Sequence, residues 1–336
     1  MNRRTILAAI IVGATCMTAS HLKAASAQER DATVTVSGVE IACRFTVPHG
    51  PARGAVLLVP GSLYSDVDGN YPSMNMRPHA YADLARQLGE RGFAVLRMAK
   101  IGPGTGSRTI DADAARRHIE FLTRVDVAGA GLDLLRQTVP TRPLIVAGHS
   151  EGAVVASLLA AGPAGGVIDG VVSLSGPALP ILSIFRAQVA AMSPPDVTPD
   201  MTMFDRTAAA IRAGETPPPE AKSNPQTAML ASMPEQGLAY LRSADRVDPI
   251  AALARVQGPV LIIQGGRDDS VPAAHADLLR KGRSSLPTKV ATFPNLTHFY
   301  KQAPPGLSPM QSMGLETDSD PAVADAIAAW ANQLSQ

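Results

Sequence analysis

The sequence predicts an α/β fold, with a mostly parallel central sheet, helices on both faces and a small helical cap inserted late in the chain. Three observations predict it. Short apolar runs recur at 55–59, 93–96, 144–147, 171–174, 260–263 and 290–293. Each is too short for a helix and, as a strand, would be buried on both faces of a parallel sheet. Amphipathic stretches of helical length lie between most of them, at about 79–91, 112–137, 152–161 and 273–282, with a closing one near 321–334. Strand and helix in alternation are what parallel crossovers require. One interval breaks the rhythm, since about 80 residues separate Ser175 from Pro259.

In chain order, residues 1–27 come first and follow a different pattern from the rest. Arg3 and Arg4 open an apolar run that reaches Ala19, and Ala25-Ser26-Ala27 is a small-residue cleavage site. This reads as a signal peptide cut before Gln28, which implies a periplasmic or secreted mature chain, residues 28–336, with no membrane span. The apolar run is shorter than the ~20 residues of a spanning helix. Losing Arg3, Arg4 and Lys23 takes the 30 basic residues to 27, against 29 acidic ones. So even a balance offers no footprint for nucleic acid or for an anionic membrane. Of the two cysteines only Cys43 survives cleavage, so the mature chain has no internal disulfide, and Cys43 is expected as a small buried residue of a strand.

Residues 33–47 alternate as strands on either side of Ser37-Gly38, a hairpin or edge pair. The late insertion, about 177–247, holds Pro194-Pro195, Pro217-Pro218-Pro219 and the methionines 192, 201, 203, 229 and 233. These suggest a helical cap whose methionines fill its core or form an adaptable substrate wall.

The chemistry concentrates in Gly148-His149-Ser150-Glu151-Gly152, where the run 144–147 gives way to a helix. Such an elbow lifts the serine hydroxyl above the sheet on a strained turn, and a Cβ at either glycine would clash with neighbouring backbone. A hydroxyl is a weak nucleophile without a base, and in this arrangement acid and base follow the serine in the chain. Asp268, in Gly265-Gly266-Arg267-Asp268-Asp269-Ser270-Val271-Pro272, follows a strand end. It is preferred to Asp269, which is expected as a solvated or capping residue. His298, in Asn295-Leu296-Thr297-His298-Phe299, follows the last strand. His49, His79, His118, His149 and His275 lie before the sheet, on helices or inside the elbow. Ser150 is the candidate nucleophile, His298 the general base and Asp268 the residue that orients it. The oxyanion donors expected are the backbone N–H groups of Glu151 and Ser62; Pro60 has none to give.

Taken together, these residues resemble a group of bacterial α/β hydrolases, esterase-like and related to serine aminopeptidases and dienelactone hydrolases. The resemblance rests on the Gly-His-Ser-Glu-Gly elbow, on the loop from Gly61 to Asn70 and on Asp248, Pro249 and Leu253 ahead of the acid-bearing strand. It implies the α/β-hydrolase fold and a small-molecule acyl substrate, with the family's nucleophile, acid and base falling on Ser150, Asp268 and His298. Leu63, Tyr64 and Val67 depart from the family's glycine, proline and arginine, and Ile101 stands where relatives hold an arginine after Lys100.

Hydrolysis of a carboxylic ester through an acyl-enzyme is the leading expectation. An amidase or aminopeptidase on the same residues would need an acidic cluster for the substrate amine, with Glu151, Asp66 and Asp68 as candidates. Acyl transfer and a binding protein on an inactive scaffold are further alternatives. Haloalkane or epoxide chemistry would want Asp at position 150. No two histidines share ligand spacing on one element, so no metal is expected. Gly102-Pro103-Gly104-Thr105-Gly106 lacks the Gly-Lys-Ser/Thr of a phosphate loop, and no cofactor is expected.

Overall fold

The structure is a computed structural model and describes residues 27–334, apart from 194, 195, 197 and 305. The expected signal peptide, save Ala27, and the Pro194-Pro195 pair lie outside the described residues.

The chain opens with β1 (Gln28–Val36) and β2 (Val39–Val47), an antiparallel hairpin turning at Ser37 and Gly38. Both turn residues have positive φ, 43° and 71°, the twist that a two-residue turn needs to match its strands. There follow β3 (Gly54–Val59), α1 (Ala80–Glu90), β4 (Phe93–Met98), the short β5 (Arg108–Thr109), α2 (Ala112–Ala115), α3 (Thr123–Thr138), β6 (Leu144–His149), α4 (Glu151–Ala161) and β7 (Gly170–Leu174). Then come α5 (Ile181–Ala191), α6 (Thr202–Ala213), α7 (Ala228–Ala231), α8 (Glu235–Asp245) and α9 (Pro249–Ala254). The chain closes through β8 (Val260–Gly265), α10 (Ala274–Lys281), β9 (Thr288–Phe293), α11 (Pro309–Met313) and α12 (Pro321–Leu334).

The sheet order is β1-β2-β4-β3-β6-β7-β8-β9, parallel from β4 onward, with β5 beside β2. Alternate side chains of the central strands feed two cores. Leu57, Leu96 and Val146 pack with Leu132 and Val155 on one face, and Val56, Val95 and Ile145 pack with Leu88, Ile327 and Trp330 on the other. Each fully buried Leu or Ile contributes about 1.5–3 kcal/mol. The helices between β7 and β8 have a core of their own around Leu182, Phe204, Ile211, Leu230, Leu238 and Leu241.

The structure differs from expectation in three respects. The central strands run past their apolar runs, to Arg97-Met98, Gly148-His149 and Gln264-Gly265. Polar side chains continue these ladders because each finds partners. The buried Arg97 guanidinium, for example, bonds Glu29, Asp68 and the Thr46 hydroxyl. The last strand is not buried on both faces. As the sheet edge, β9 leaves Lys289, Val290 and Thr292 exposed. The single helix expected at 112–137 is two, separated by a 3-10 turn over Arg116–Ile119. Side chains break it there, since Thr123 Oγ1 donates to the Arg117 carbonyl (2.6 Å) and the Phe121 N–H donates to Ser243 Oγ (2.9 Å).

Because β3, β6, β7, β8 and β9 are parallel neighbours, their C-terminal ends meet along one edge. Gly61, Ser150, Ser175, Asp268 and His298 all follow those ends. Open sheets of this class gather ligands there.

Candidate active site

Ser150 joins β6 to α4 with φ 54° and ψ −124°, a region that non-glycine residues adopt only under constraint. Its N–H donates to the Leu174 carbonyl at 2.8 Å, tying the turn to β7. The two flanking glycines allow this. A Cβ on Gly148 would lie 2.0 Å from the Gly152 carbonyl oxygen, and one on Gly152 would lie 2.4 Å from that of Val59. A Cβ on Gly61 would come within 3.4 Å of the Ser150 Cβ, so the loop after β3 lies directly against the serine.

Asp268 is buried, and both its oxygens are occupied. Oδ1 accepts the N–H groups of Ser270 (2.9 Å) and Val271 (2.8 Å), and Oδ2 accepts from Gln264 Nε2 (3.1 Å). His298 Nδ1 stands 3.0 and 2.8 Å from the two oxygens. Burial alone would raise the Asp268 pKa, but the His298 imidazole, the Val271 N–H and the Ser175 hydroxyl outweigh it and hold the carboxyl below its ordinary value. An imidazole whose Nδ1–H is bound by a carboxylate presents Nε2 for proton transfer. The neighbouring Asp269 is exposed, and what desolvation it has, with the Asp268 charge beside it, raises its pKa. Of the other histidines, His118 Nε2 lies 3.0 Å from the Val36 carbonyl and His275 Nδ1 accepts the Ala178 N–H at 2.9 Å. The His149 ring packs on His298, with centroids 4.5 Å apart.

On the other side of Ser150 lies a charged cluster that sequence reading did not assemble. The Glu151 side chain is 8% exposed, and its Oε1 receives Lys100 Nζ (3.2 Å), the Tyr240 hydroxyl (2.8 Å) and Arg124 Nη1. Arg124 Nη2 donates to the Pro60 carbonyl at 3.2 Å and makes a longer contact with that of Gly61. Desolvation works against the Arg124 charge, but the Tyr240 and Glu151 oxygens overcome it and raise the pKa above its ordinary value. One guanidinium thus joins the residue after the serine to the loop before Ser62, and Tyr240 brings in α8. A buried carboxylate demands a cation, and Glu151 inside the elbow was the one available signal of this cluster. Which cations answer it could not be read from the chain.

Ser62, Ser150 and Glu151 line one open cleft of about 540 Å³, whose other walls include Phe121, Val154, Leu179, Ile184 and Phe185. The cap methionines are not among its walls. Met201 is buried within the cap, and Met192 and Met229 are 79% and 72% exposed. Among the described residues no group of His, Cys, Asp and Glu is arranged to hold a metal ion, and no helix is long and apolar enough to cross a membrane. Cys43 is buried in β2, which pushes its thiol up to about 12. Tyr64, one of the departures from the family loop, is exposed and leans over Gly102.

A parallel sheet with an elbow serine and a buried carboxylate–imidazole pair along one edge defines an α/β hydrolase. A sequence profile described as the Alpha/beta hydrolase family matches residues 56–309, and the chain belongs to that family. Comparison with curated protein sequences gives no match. Among solved structures the chain is similar to Est1E from Butyrivibrio proteoclasticus with ferulic acid bound, at 17% identity and a TM-score of 0.57, over 90% of this chain and 99% of that one. It is also similar to a dienelactone hydrolase from Anabaena variabilis, at 18% identity and a TM-score of 0.51, over 91% and 97%. At these identities the likeness is one of fold.

Proposed function

We propose that this chain is a serine carboxylesterase. Ser150 Oγ attacks the ester carbonyl, and His298 takes its proton and passes it to the leaving alcohol. Asp268 orients the imidazole and stabilises its charged form, and water then releases the acid from the acyl-enzyme. The backbone N–H groups of Glu151 and Ser62 receive the oxyanion, a contribution of about 3–4 kcal/mol for each donor where one has been removed. The observation that carries this reading is the Asp268–His298 pair, bonded at 2.8 Å, on the same sheet edge as the strained Ser150 elbow.

Ester is favoured over aminoacyl substrate by the state of the acidic residues. Asp68 is engaged by Arg44 and Arg97, Glu151 by Lys100 and Arg124, and Asp66 by the N–H groups of its own loop. A substrate ammonium would have to displace a cation already in place at Asp68 or Glu151, or the loop's own N–H donors at Asp66. The apolar cleft walls favour a small-molecule acyl group of short to medium length. From the pattern of residues 1–27 we infer export to the periplasm or beyond, which the N-terminal sequence of the mature protein tests.

The test is labelling by a fluorophosphonate probe, wild type against Ser150→Ala, followed by turnover of p-nitrophenyl esters of graded chain length and of an aminoacyl p-nitroanilide. Labelling that needs Ser150, with ester turnover and none of the anilide, is the expected result. A folded wild type that neither labels nor turns over overturns the reading, and a rate maximum at long chains overturns the acyl-length assignment.

A further inference from the structure

Directly beneath Ser150 lies a line of buried polar groups for which the reaction above has no use. Tyr81 and His149 are 3% exposed each. The Gly61 N–H lies 2.9 Å from Tyr81 Oη, Tyr81 Oη lies 3.2 Å from His149 Nδ1, and His149 Nε2 lies 3.0 Å from the His298 carbonyl oxygen.

The donors in this line can be assigned from its two ends. A carbonyl oxygen only accepts, so His149 Nε2 carries a proton. A backbone N–H only donates, so Tyr81 Oη accepts from Gly61, and Tyr71 also hydrogen-bonds this hydroxyl, in the sense that favours the Tyr81 phenolate. The Tyr81 proton is then left to point at His149 Nδ1, which must be bare. Burial, with the His298 ring alongside, pushes the His149 pKa down to about 3, so the imidazole has a single proton to place. The titratable groups facing it are Tyr81, His298 and Tyr300, with the Asp268 charge farther off.

We propose that Tyr81 and His149 are positioning residues: Gly61 N–H to Tyr81, Tyr81 O–H to His149 and His149 Nε2–H to His298 form one directional chain that fixes the oxyanion loop relative to the loop of the general base. The proposal rests on the reading of Ser150 and His298 given above. The consequence is specific. His149 occupies the elbow next to the nucleophile, so one imidazole registers three loops at once: that of Gly61-Ser62, that of Ser150 and that of His298. Losing the Tyr81 hydroxyl leaves the Gly61 N–H and His149 Nδ1 without their partners and lets the oxyanion donor drift from the base. Ground-state binding in the apolar cleft is untouched, so kcat falls and KM does not.

Two measurements test this. In protein labelled with 15N-histidine, the His149 ring is assigned by its loss in His149→Gln. The wild-type ring is expected to show a protonated Nε2 and a bare Nδ1 from about pH 5 to 8. A protonated Nδ1 overturns the proposal, and this reading does not depend on catalysis. In Tyr81→Phe, kcat for p-nitrophenyl acetate is expected to fall about tenfold or more, with KM within about twofold of wild type. The double variant Tyr81→Phe/His149→Gln should be no slower than the slower single one, as for groups acting through one chain. A kcat for Tyr81→Phe within about twofold of wild type, or additive losses in the double variant, overturns the proposal. Failure of wild-type fluorophosphonate labelling would instead defeat the esterase reading, and the tautomer of His149 would still be legible.

Discussion

On the proposed base side of Ser150 the hydrogen bonds that hold the carboxylate in its own turn are short in sequence: Asp268 takes the N–H groups of Ser270 and Val271, two and three positions on, and Gln264 reaches it from four positions back. On the oxyanion side they are long. Tyr81 holds Gly61 from 20 positions away, Arg124 holds Pro60 from 64 and Tyr240 holds Glu151 from 89. A turn that satisfies its own carboxylate stays in shape as long as its strand is in place. A loop held by remote side chains is in shape only when the whole fold, cap helix α8 included, has assembled. Damage to the cap should therefore reach the oxyanion donors before it reaches the carboxylate–imidazole pair.

Substitutions can separate the two sides. Ser150→Ala removes the proposed nucleophile, common to both, and should lower kcat about 10⁴- to 10⁶-fold, measured by ester turnover with loss of fluorophosphonate labelling. Asp268→Asn strikes the base side alone and should cost about 10³- to 10⁴-fold in kcat; turnover close to wild type would move the acid elsewhere. Arg124→Met strikes the oxyanion side. It leaves Glu151 buried with Lys100 as its remaining cation and should destabilise the fold by about 3–5 kcal/mol in urea titration. Arg124→Lys should recover only part, because a single ammonium cannot reach both Glu151 and the Pro60 carbonyl.

Acid pH acts on both sides at once, because His149 bonds Tyr81 on one and the His298 carbonyl on the other. Its pKa is about 3 in the fold against an ordinary 6.5, so as the pH falls through that interval the unfolded chain takes up a proton and the folded chain does not. Stability is therefore lost between about pH 6.5 and 3, by at most about 1.4 kcal/mol per unit for this one group, and is unaffected above it. His149→Gln should flatten the acid slope of the unfolding free energy, from urea titration, by up to that amount, and an unchanged slope would mean that the ring titrates normally. The smallest effect is expected from Tyr240→Phe, about 1 kcal/mol in stability, with kcat lowered a few-fold and the His298–Asp268 hydrogen-bond proton unmoved in the NMR spectrum. A shift of that proton would show that the cap acts on both sides of the serine.

Much of this architecture was legible because it follows local rules. The apolar runs marked strands β3, β4, β6, β7 and β8, the Ser37-Gly38 pair marked the first turn, and Gly148-His149-Ser150-Glu151-Gly152 announced a strained strand-to-helix turn. Chain order then pointed to Asp268 and His298, which the structure brings within hydrogen-bonding distance. Less legible were the polar residues that extend buried strands. Arg97, His149 and Gln264 look like strand ends in a pattern of apolar letters, and they remain in the ladder only because distant groups satisfy them. Whether the methionines of the cap fill its core or line the cleft could not be read either, since composition does not say which face of a helix meets a cleft.

Alone, the sequence determined the fold class, the elbow and the chain order of the candidate nucleophile, acid and base, because periodicity, glycine at strained turns and strand-end loops are all written within a few residues. Only the tertiary structure decided how the oxyanion side is held. Arg124, Lys100 and Tyr240 become neighbours of Glu151, and Tyr81 of Gly61 and His149, through the packing of separate helices on one sheet. Which cation meets a buried carboxylate is a property of that packing, not of any segment of the chain.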